Sequence, residues 1–456
     1  MTTRRVPRCA EGTHRASVHA REACAAFGLI VSAESFSEHS GSIDASEEQI
    51  SGILGSSITL LHGASGAGKS RRLAGIERAL NDKGHRVIQV EDVRDGSIAC
   101  FDAIDAVAED PCSMLALAGL AEPKLWALPV CALSVGERAR LKLALAMCNA
   151  RAGDIVIADE FCTPIDRVTA GSVCATIRRW AHNKEVRFVA ASAHEDLRRM
   201  LGADLIIHAS SGGSEKHTCD HAPDPIRYEE GTISDYDELG DQHYLGTRPV
   251  AWTRVIRAIR TTHSEGAILA GVLVVSMPTL NSVARKQAWG DRFAQSDKRR
   301  NAMRLNSEMR CLSRVVVDRR SRGLGIATGL VRRYLASAQT IATEAKSAMG
   351  AACPFLARAG MTEYIVPTPI QDVRLLDALE YIGIHPADLP NVLIEDHPLL
   401  HRELMHWARS SRMLRDDGNH VRTIALMASC RLLSRPRAYA WRSDGEHDVY
   451  TESRAD

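Results

Sequence analysis

Two short stretches of this chain carry residue types suited to phosphate chemistry. The first is GASGAGKS, made of Gly63, Ala64, Ser65, Gly66, Ala67, Gly68, Lys69 and Ser70. It fits GxxxxGK[ST] in full. Small residues let successive backbone N–H groups turn inward around phosphate oxygens. Lys69 would bring a point charge to the β- and γ-phosphates, and Ser70 a hydroxyl to Mg²⁺. The second is DRRSRGLGIATG, Asp318 to Gly329. It has glycines and arginines, but no lysine follows the glycines and no acid pair at a strand tip accompanies it. Such a turn suits a pyrophosphate that is held and not split.

More groups follow the first loop. IVIADE ends an apolar run with Asp159 and Glu160. An acid at a strand tip can hold Mg²⁺, and the next can polarise an attacking water. LSVGERARLKLALA, Leu133 to Ala146, is a small-residue turn opening a helical pattern, so its first N–H groups face outward as an anion site. RFVAASAHED places His194 just past another apolar run. In this order the four segments resemble the ATP-binding-cassette (ABC) ATPases, over about residues 50–210. The resemblance implies that ATP and Mg²⁺ are bound, the metal by Ser70 and Asp159. It implies a homodimer in which Ser134 and Gly136 of one subunit touch the γ-phosphate held by the other. Glu160 would be the general base, His194 the γ-phosphate sensor and Asp166, in CTPID, the acid of the D-loop. The signature departs from the family's LSGGQ at Val135 and Glu137. No Q-loop is evident, Gln89 lying too near its strand, and no aromatic can be assigned to stack on adenine. The stretch from about Gly96 to Val130 is short for a surface that docks on a membrane transporter.

The second loop admits two readings. As a GxGxxG dinucleotide fingerprint it fails at Thr328. As [R/Q]xxGxG/A, with Arg320, Gly323 and Gly325 followed by Ile326 and Ala327, it resembles motif A of the GNAT N-acetyltransferases, over about residues 226–442. The resemblance implies acetyl-coenzyme A as the ligand. Arg320, Arg322, Gly323, Leu324, Gly325, Ile326 and Ala327 would cradle its pyrophosphate. Val316 and Val317 would lie beside the pantetheine, with a backbone N–H near Val316 polarising the thioester. Phe355, in CPFLARAGM, would flank the cofactor. The attacking amine needs a base, and the candidates are Glu344 and His243. The combination of the two halves resembles a prokaryotic and phage family whose acyltransferase half is related to the phage Mom-type DNA-modifying enzymes. In QHYLG, Gln242 stands where that family favours an aromatic, while His243 and Tyr244 are retained as active-site candidates.

These groups need scaffolds. SITLLHG, HRVIQV, DIVIAD, RFVAAS and DLIIHA read as short buried strands with helical patterns between them, a parallel α/β layout. SSGGSEKHTCDHAPDP, 210–225, has linker composition. Beyond it IRYEEGT, AILAGVLVVSM, LSRVVVD, TIATEAK and RAYAWR read as strands, with a capped helix over SDYDELGDQHYL and a helical insertion over about 370–434. The expected fold is therefore a P-loop ABC-type domain, 51–209, followed by a GNAT-like α+β domain, 226–456, after an N-terminal segment, 1–50.

Composition narrows the partners. With 456 residues the chain has room for two or three cores. The longest apolar run, Gly266 to Met277, is about half of a membrane span. No apolar stretch follows the basic start as in a secretory signal. The twelve cysteines form no CxxC pair, and HTCDH, His217 to His221, lacks a second ligand pair for zinc. A cytoplasmic protein with reduced thiols, off the membrane, is expected. Residues 251–350 carry 18 Lys and Arg against 6 Asp and Glu. Such a block suits a polyanion, either coenzyme A phosphates or nucleic acid, or is a solvated basic face. The acceptor amine is left open among nucleobase, protein and small molecule. Two rival functions remain, a cassette ATPase whose second domain only senses coenzyme A, and the ATP-binding subunit of a transporter.

Overall fold

The computed structural model describes residues 43–93, 95–216, 223–243, 247–294, 296–409, 414, 420–434 and 436–443. Tyr244, the HTCDH cluster and residues 1–42 of the N-terminal segment lie outside the described residues. The chain divides into two compact units, Met1–Pro223 and Asp224–Asp456.

The first unit is built on a six-stranded sheet. Helix α1 (Glu47–Leu54) precedes β1 (Ile58–His62), α2 (Lys69–Asp82) and β2 (Val87–Gln89). Four helices follow: α3 (Cys100–Asp105), α4 (Pro111–Leu117), α5 (Pro123–Trp126) and α6 (Val135–Asn149). Then come β3 (Ile155–Ala158), α7 (Arg167–Lys184), β4 (Arg187–Ser192), α8 (Leu197–Leu201), β5 (Leu205–His208) and β6 (Ser214–Lys216). The sheet order is β2-β3-β4-β1-β5-β6. The first five strands are parallel. Parallel strands covered on both faces need apolar side chains at nearly every position, which is why ITLL and IVIA read as unbroken runs. On one face Ile50, Ile53, Leu73, Ile76 and Leu80 pack against Leu61, Val189 and Ile207. On the other, Cys174 and Ile177 of α7 pack against Leu60, Val156 and Ala190. Burying a side chain such as Ile76 or Leu80, both 0 % exposed, contributes about 1.5–3 kcal/mol. Helices α3 to α6 enclose a separate core of Ile104, Leu115, Leu120, Leu133 and Leu141. The stretch of linker composition corrects in part: β6 falls inside it and pairs antiparallel with Leu205–Ile207.

The second unit holds a seven-stranded sheet. Its elements are β7 (Ile226–Glu230), α9 (Ile233–Leu239), β8 (Trp252–Thr262), β9 (Gly266–Ser276), α10 (Val283–Trp289), α11 (Lys298–Glu308), β10 (Met309–Val317) and α12 (Ile326–Leu335). They continue with β11 (Ala342–Ser347), α13 (Phe355–Arg358), β12 (Thr362–Tyr364), α14 (Ile370–Ile382), α15 (Pro398–Arg409), α16 (Val421–Leu433) and β13 (Arg437–Arg442). The order is β12-β13-β11-β10-β9-β8-β7. All neighbours are antiparallel except β10 and β11, which run parallel with α12 as their crossover. Helix α12 buries Leu330, Val331 and Tyr334 against Ala258, Ala270 and Leu273. Helices α14 to α16 form a core of their own around Leu375, Leu379, Leu404, Trp407 and Ile424. Among the described residues no helix is long and apolar enough to cross a membrane.

Candidate functional sites

The first site lies at the carboxyl ends of β3, β4 and β1, three adjacent strands. After His62 the chain turns through Gly66 and Gly68, at φ +79° and +84°. That left-handed conformation costs a residue with a Cβ about 1–2 kcal/mol. Gly68 is the N-cap of α2 and makes no side-chain cap, so the first N–H groups of the helix are left for an anion. The Lys69 ammonium donates to the carbonyls of Gly63 and Ala64, both at 2.9 Å. Phosphate oxygens would draw on the same donors. Ala64, Ser65 and Ser70 are exposed and Ala67 is half-buried.

Two strands away, β3 ends in exposed Asp159 and Glu160. Asp159 Oδ1 accepts from the Glu160 N–H at 2.9 Å. Glu160 and Cys162 have φ +48° and +56°, a left-handed turn rarely adopted outside glycine. It is held by Phe161, which is buried and edge-on to Phe188 at 5.2 Å, and the Phe161 N–H donates to the Ala191 carbonyl at 2.9 Å. Strain of this kind collects at functional sites. Between these segments His194 follows β4, half-buried, its N–H donating to Ser192 Oγ at 3.3 Å. Ser70 and Asp159 offer two hard oxygen ligands, a set that suits Mg²⁺ completed by phosphate and water. Among the described residues no cluster of three His, Cys, Asp or Glu could hold a metal by itself.

The signature segment has a local explanation. Ser134 is the N-cap of α6, its Oγ accepting from the Glu137 N–H at 3.3 Å while Glu137 Oε2 accepts from the Ser134 N–H at 2.8 Å. Glu137 thus completes a capping box. A Cβ on Gly136 would lie 3.4 Å from the Pro164 carbonyl oxygen. Asp166, expected at the nucleotide, caps α7 by accepting from the Thr169 N–H at 2.9 Å.

The second site begins where β10 parts from β11. The two pair only over Met309–Leu312. Beyond that, Ser313 is an extra residue, a bulge in the pairing with β9. Its hydroxyl meets Ser276 Oγ at 2.7 Å and donates to the Val274 carbonyl at 3.0 Å. No strand among the described residues pairs with Ser313–Val317 on the side facing β11. A bulge re-aims backbone groups. Val316 is buried against Tyr236 and Leu239, while Val317 packs toward α12.

At the end of β10, Asp318 is buried and Oδ1 accepts from the Arg320 N–H at 2.8 Å. Gln242 Oε1 accepts from the Arg319 N–H at 2.8 Å. Gly323 and Gly325 have φ +83° and +80°. Gly325 is the uncapped N-cap of α12. Ile326 is a core residue at 1 % exposure, Leu324 and Phe355 pack at the edge of that core, and Ala327 is half-buried in the first turn. Arg322 Nε donates to the Val317 carbonyl at 3.4 Å. Arg320, expected as a rim cation, instead pairs with Asp318 at 3.3 Å and Glu265 at 3.1 Å.

The two candidate bases have different surroundings. Glu344 is paired twice with the buried Arg285, at 3.0 and 2.6 Å, and Arg285 also donates to the carbonyls of Thr279 at 2.7 Å and Leu280 at 3.1 Å. One guanidinium thus takes both oxygens of this carboxylate. Directly across from it the Cys311 thiol is pushed up to about 12 by burial and by Glu344, so it is no nucleophile. The imidazole of His243 is pushed down to about 4 by burial, with the Arg314 charge adding to the effect. It is neutral near pH 7. The buried arginines and the Ser313 bulge escaped the sequence reading.

No protein-family model matches the chain, and no curated protein matches it. Among solved structures it is similar to the dimeric structure of MJ0796, a bacterial ABC transporter cassette, at 14% identity, covering 36% of this chain and 85% of that one, with a TM-score of 0.29. The post-hydrolysis state of the ATP-binding cassette MJ0796, bound to ADP and Pi, gives 17%, 36%, 85% and 0.28. The structure of cbiO1 from Clostridium perfringens, part of the ABC transporter complex cbiONQ, gives 14%, 34%, 74% and 0.26.

Proposed function

We propose that the first unit is an ABC-type ATPase and that the second is a coenzyme A-dependent N-acyltransferase. The ATPase reading rests on one observation: Gly63–Ser70, Asp159–Glu160 and His194 stand at the ends of three adjacent parallel strands. The loop N–H groups and Lys69 would bind the phosphates. Ser70 and Asp159 would hold Mg²⁺, which screens phosphate charge. Glu160 would accept the proton of an attacking water, and His194 would contact the γ-phosphate. Ser134 and Gly136 would act across a homodimer. Glu160→Gln should bind ATP, fail to hydrolyse it and accumulate a dimer on size exclusion. Loss of ATP binding in that variant speaks against this reading.

For the second unit, the parting of β10 from β11 beside an uncapped helix N-terminus supports the reading. The unpaired edge of Ser313–Val317 can take up the amides of an extended pantetheine as a strand would. The N-terminal turn of α12 can hold the pyrophosphate. Acetyl-coenzyme A would supply an activated thioester. A backbone N–H at the Ser313 bulge would stabilise charge on its carbonyl. Neutral His243 is left as the proton acceptor, directly or through water, and the Arg285–Glu344 pair would shape the pocket. The 18 basic residues of 251–350, with Lys298, Arg299 and Arg300 exposed on the first turn of α11, favour a phosphate-bearing acceptor such as nucleic acid. Gly323→Glu should abolish coenzyme A binding in calorimetry, and unchanged binding would sink the assignment. A second reading, a coenzyme A sensor without transfer, is favoured by one observation: Glu344 is locked and His243 is a weak base. Labelled acetyl-coenzyme A, offered with and without ATP to DNA, tRNA and protein pools, separates the two.

A further inference from the structure

Arg260 lies in β8 with 1 % of its surface exposed. Burying a guanidinium is costly unless its donors are satisfied, and an apolar residue of similar volume in such a place is often as stable or more so. Arg260 therefore needs a reason beyond stability. Its Nε and Nη2 donate to Asp224 Oδ2 at 3.0 and 2.8 Å. Its Nη1 reaches the Arg320 carbonyl at 3.4 Å and Ser321 Oγ at 3.2 Å. Ser321 is 0 % exposed, and its N–H donates to the Asp318 carbonyl at 2.8 Å. The floor of the second glycine loop is thus pinned to the sheet beneath it.

The orientation of that floor matters to an anion above. A peptide unit presents either its N–H or its carbonyl to a given side. A carbonyl turned toward a pyrophosphate would repel it, and a left-handed glycine pair such as Gly323 and Gly325 can flip at little cost. We propose that Arg260 is a positioning residue for the anion cradle: by holding the Arg320 carbonyl and the Ser321 hydroxyl inward, it keeps the N–H groups that follow turned toward a bound pyrophosphate. This rests on the coenzyme A reading of the second unit and deepens it. Asp224 sets the guanidinium plane, and Asp318 and Gln242 hold the neighbouring N–H groups from the other side.

The test compares two ligands on the full-length protein. Coenzyme A carries the pyrophosphate; pantetheine does not, and would lie along Ser313–Val317, away from Arg260. Calorimetry on the wild type, Arg260→Lys and Ser321→Ala reads both. The expected result for Arg260→Lys is a loss of coenzyme A affinity of tenfold or more with pantetheine affinity within twofold of wild type. Ser321→Ala, which removes one of the contacts, should lose a few-fold in coenzyme A affinity and nothing in pantetheine affinity. Equal losses for both ligands, tracking the melting temperature, would make Arg260 a structural residue and overturn the proposal. So would unchanged coenzyme A affinity in Arg260→Lys. A wild type that binds neither ligand overturns the coenzyme A reading itself, an outcome distinct from the other two.

Discussion

The two glycine loops share a backbone and differ in what surrounds it. Each places two left-handed glycines one residue apart, Gly66 and Gly68 in one, Gly323 and Gly325 in the other, and each opens a helix without a side-chain cap. The first carries its cation within the loop, on a flexible lysine, with acids at the end of β3, two strands away. The second has its cation, Arg260, buried beneath it, and its own Arg320 is paired with carboxylates. A phosphate that reacts gains charge on the way to the transition state, so it needs a cation that can follow it. A phosphate that only anchors needs a rigid frame. The surroundings, and not the glycines, separate the two.

The largest expected effects fall where this contrast is sharpest. Lys69→Ala should weaken ATP binding by about 1.5–3 kcal/mol, the usual scale of a hydrogen bond to a charged group, or roughly 10- to 150-fold. Coenzyme A binding should not change, and calorimetry with each nucleotide reads both. An equal loss in both would break the separation of the sites. Next is the buried pair of the second unit. Arg285→Met leaves Glu344 uncompensated and should cost about 3–5 kcal/mol, seen as a lower melting temperature. Arg285→Met with Glu344→Leu should recover most of it. Stability that recovers while transferase activity does not would show that the pair shapes the acceptor pocket as well as the fold.

How much of this was legible in the sequence depends on the kind of signal. Four of the five parallel strands of the first unit are visible because both faces of each are buried, and ITLL, IVIA and FVAAS need no alternation to be recognised; β2 is only half-buried and ends in an exposed Gln89. GASGAGKS is visible because loop, strand and helix coincide over eight residues. Strand β8 is not visible: WTRVIRAIRTT puts an arginine at every third position, which suits neither a clean strand nor a helix. Each of those arginines has a partner distant in sequence, Glu230 for Arg254, Glu229 and Asp235 for Arg257, Asp224 for Arg260. Such pairings exist only once the sheet is assembled. Glu344 stands on the strand beside β10, where a base is expected; an arginine of the basic block is its natural partner, but no local pattern singles out Arg285, 59 positions away. The bulge at Ser313 likewise depends on the register with β9, which no local pattern states.

Smaller effects test the backbone equivalence of the loops and the electrostatics beside them. Gly68→Ala and Gly325→Ala should each destabilise the loop by about 1–2 kcal/mol, the first weakening ATP binding alone and the second coenzyme A binding alone. His243 gives a pH signature. Unfolded, its imidazole takes up a proton near its ordinary value of 6.5, whereas in the fold it resists until about 4. The unfolded chain therefore binds more protons between those values, and stability falls as pH drops through that window. Urea midpoints between pH 7.5 and 4 should decline for the wild type and flatten for His243→Asn.

The smallest expected effect bears on the signature turn. Ser134 and Glu137 cap α6 reciprocally. Gln at the third helical position can complete the same box, so Glu137→Gln should change stability by only about a few tenths of a kcal/mol, while Ser134→Ala should cost about 1 kcal/mol. If Ser134 also reaches a γ-phosphate across a dimer, the alanine variant should lose ATP-dependent dimerisation in addition, and Glu137→Gln should keep it. Sedimentation with ATP, run in the Glu160→Gln background, distinguishes these roles. A Ser134→Ala variant that loses its cap energy yet dimerises as before would confine Ser134 to capping the helix. The anion site of the turn would then rest on its backbone N–H groups alone, as proposed for the second loop at Gly325.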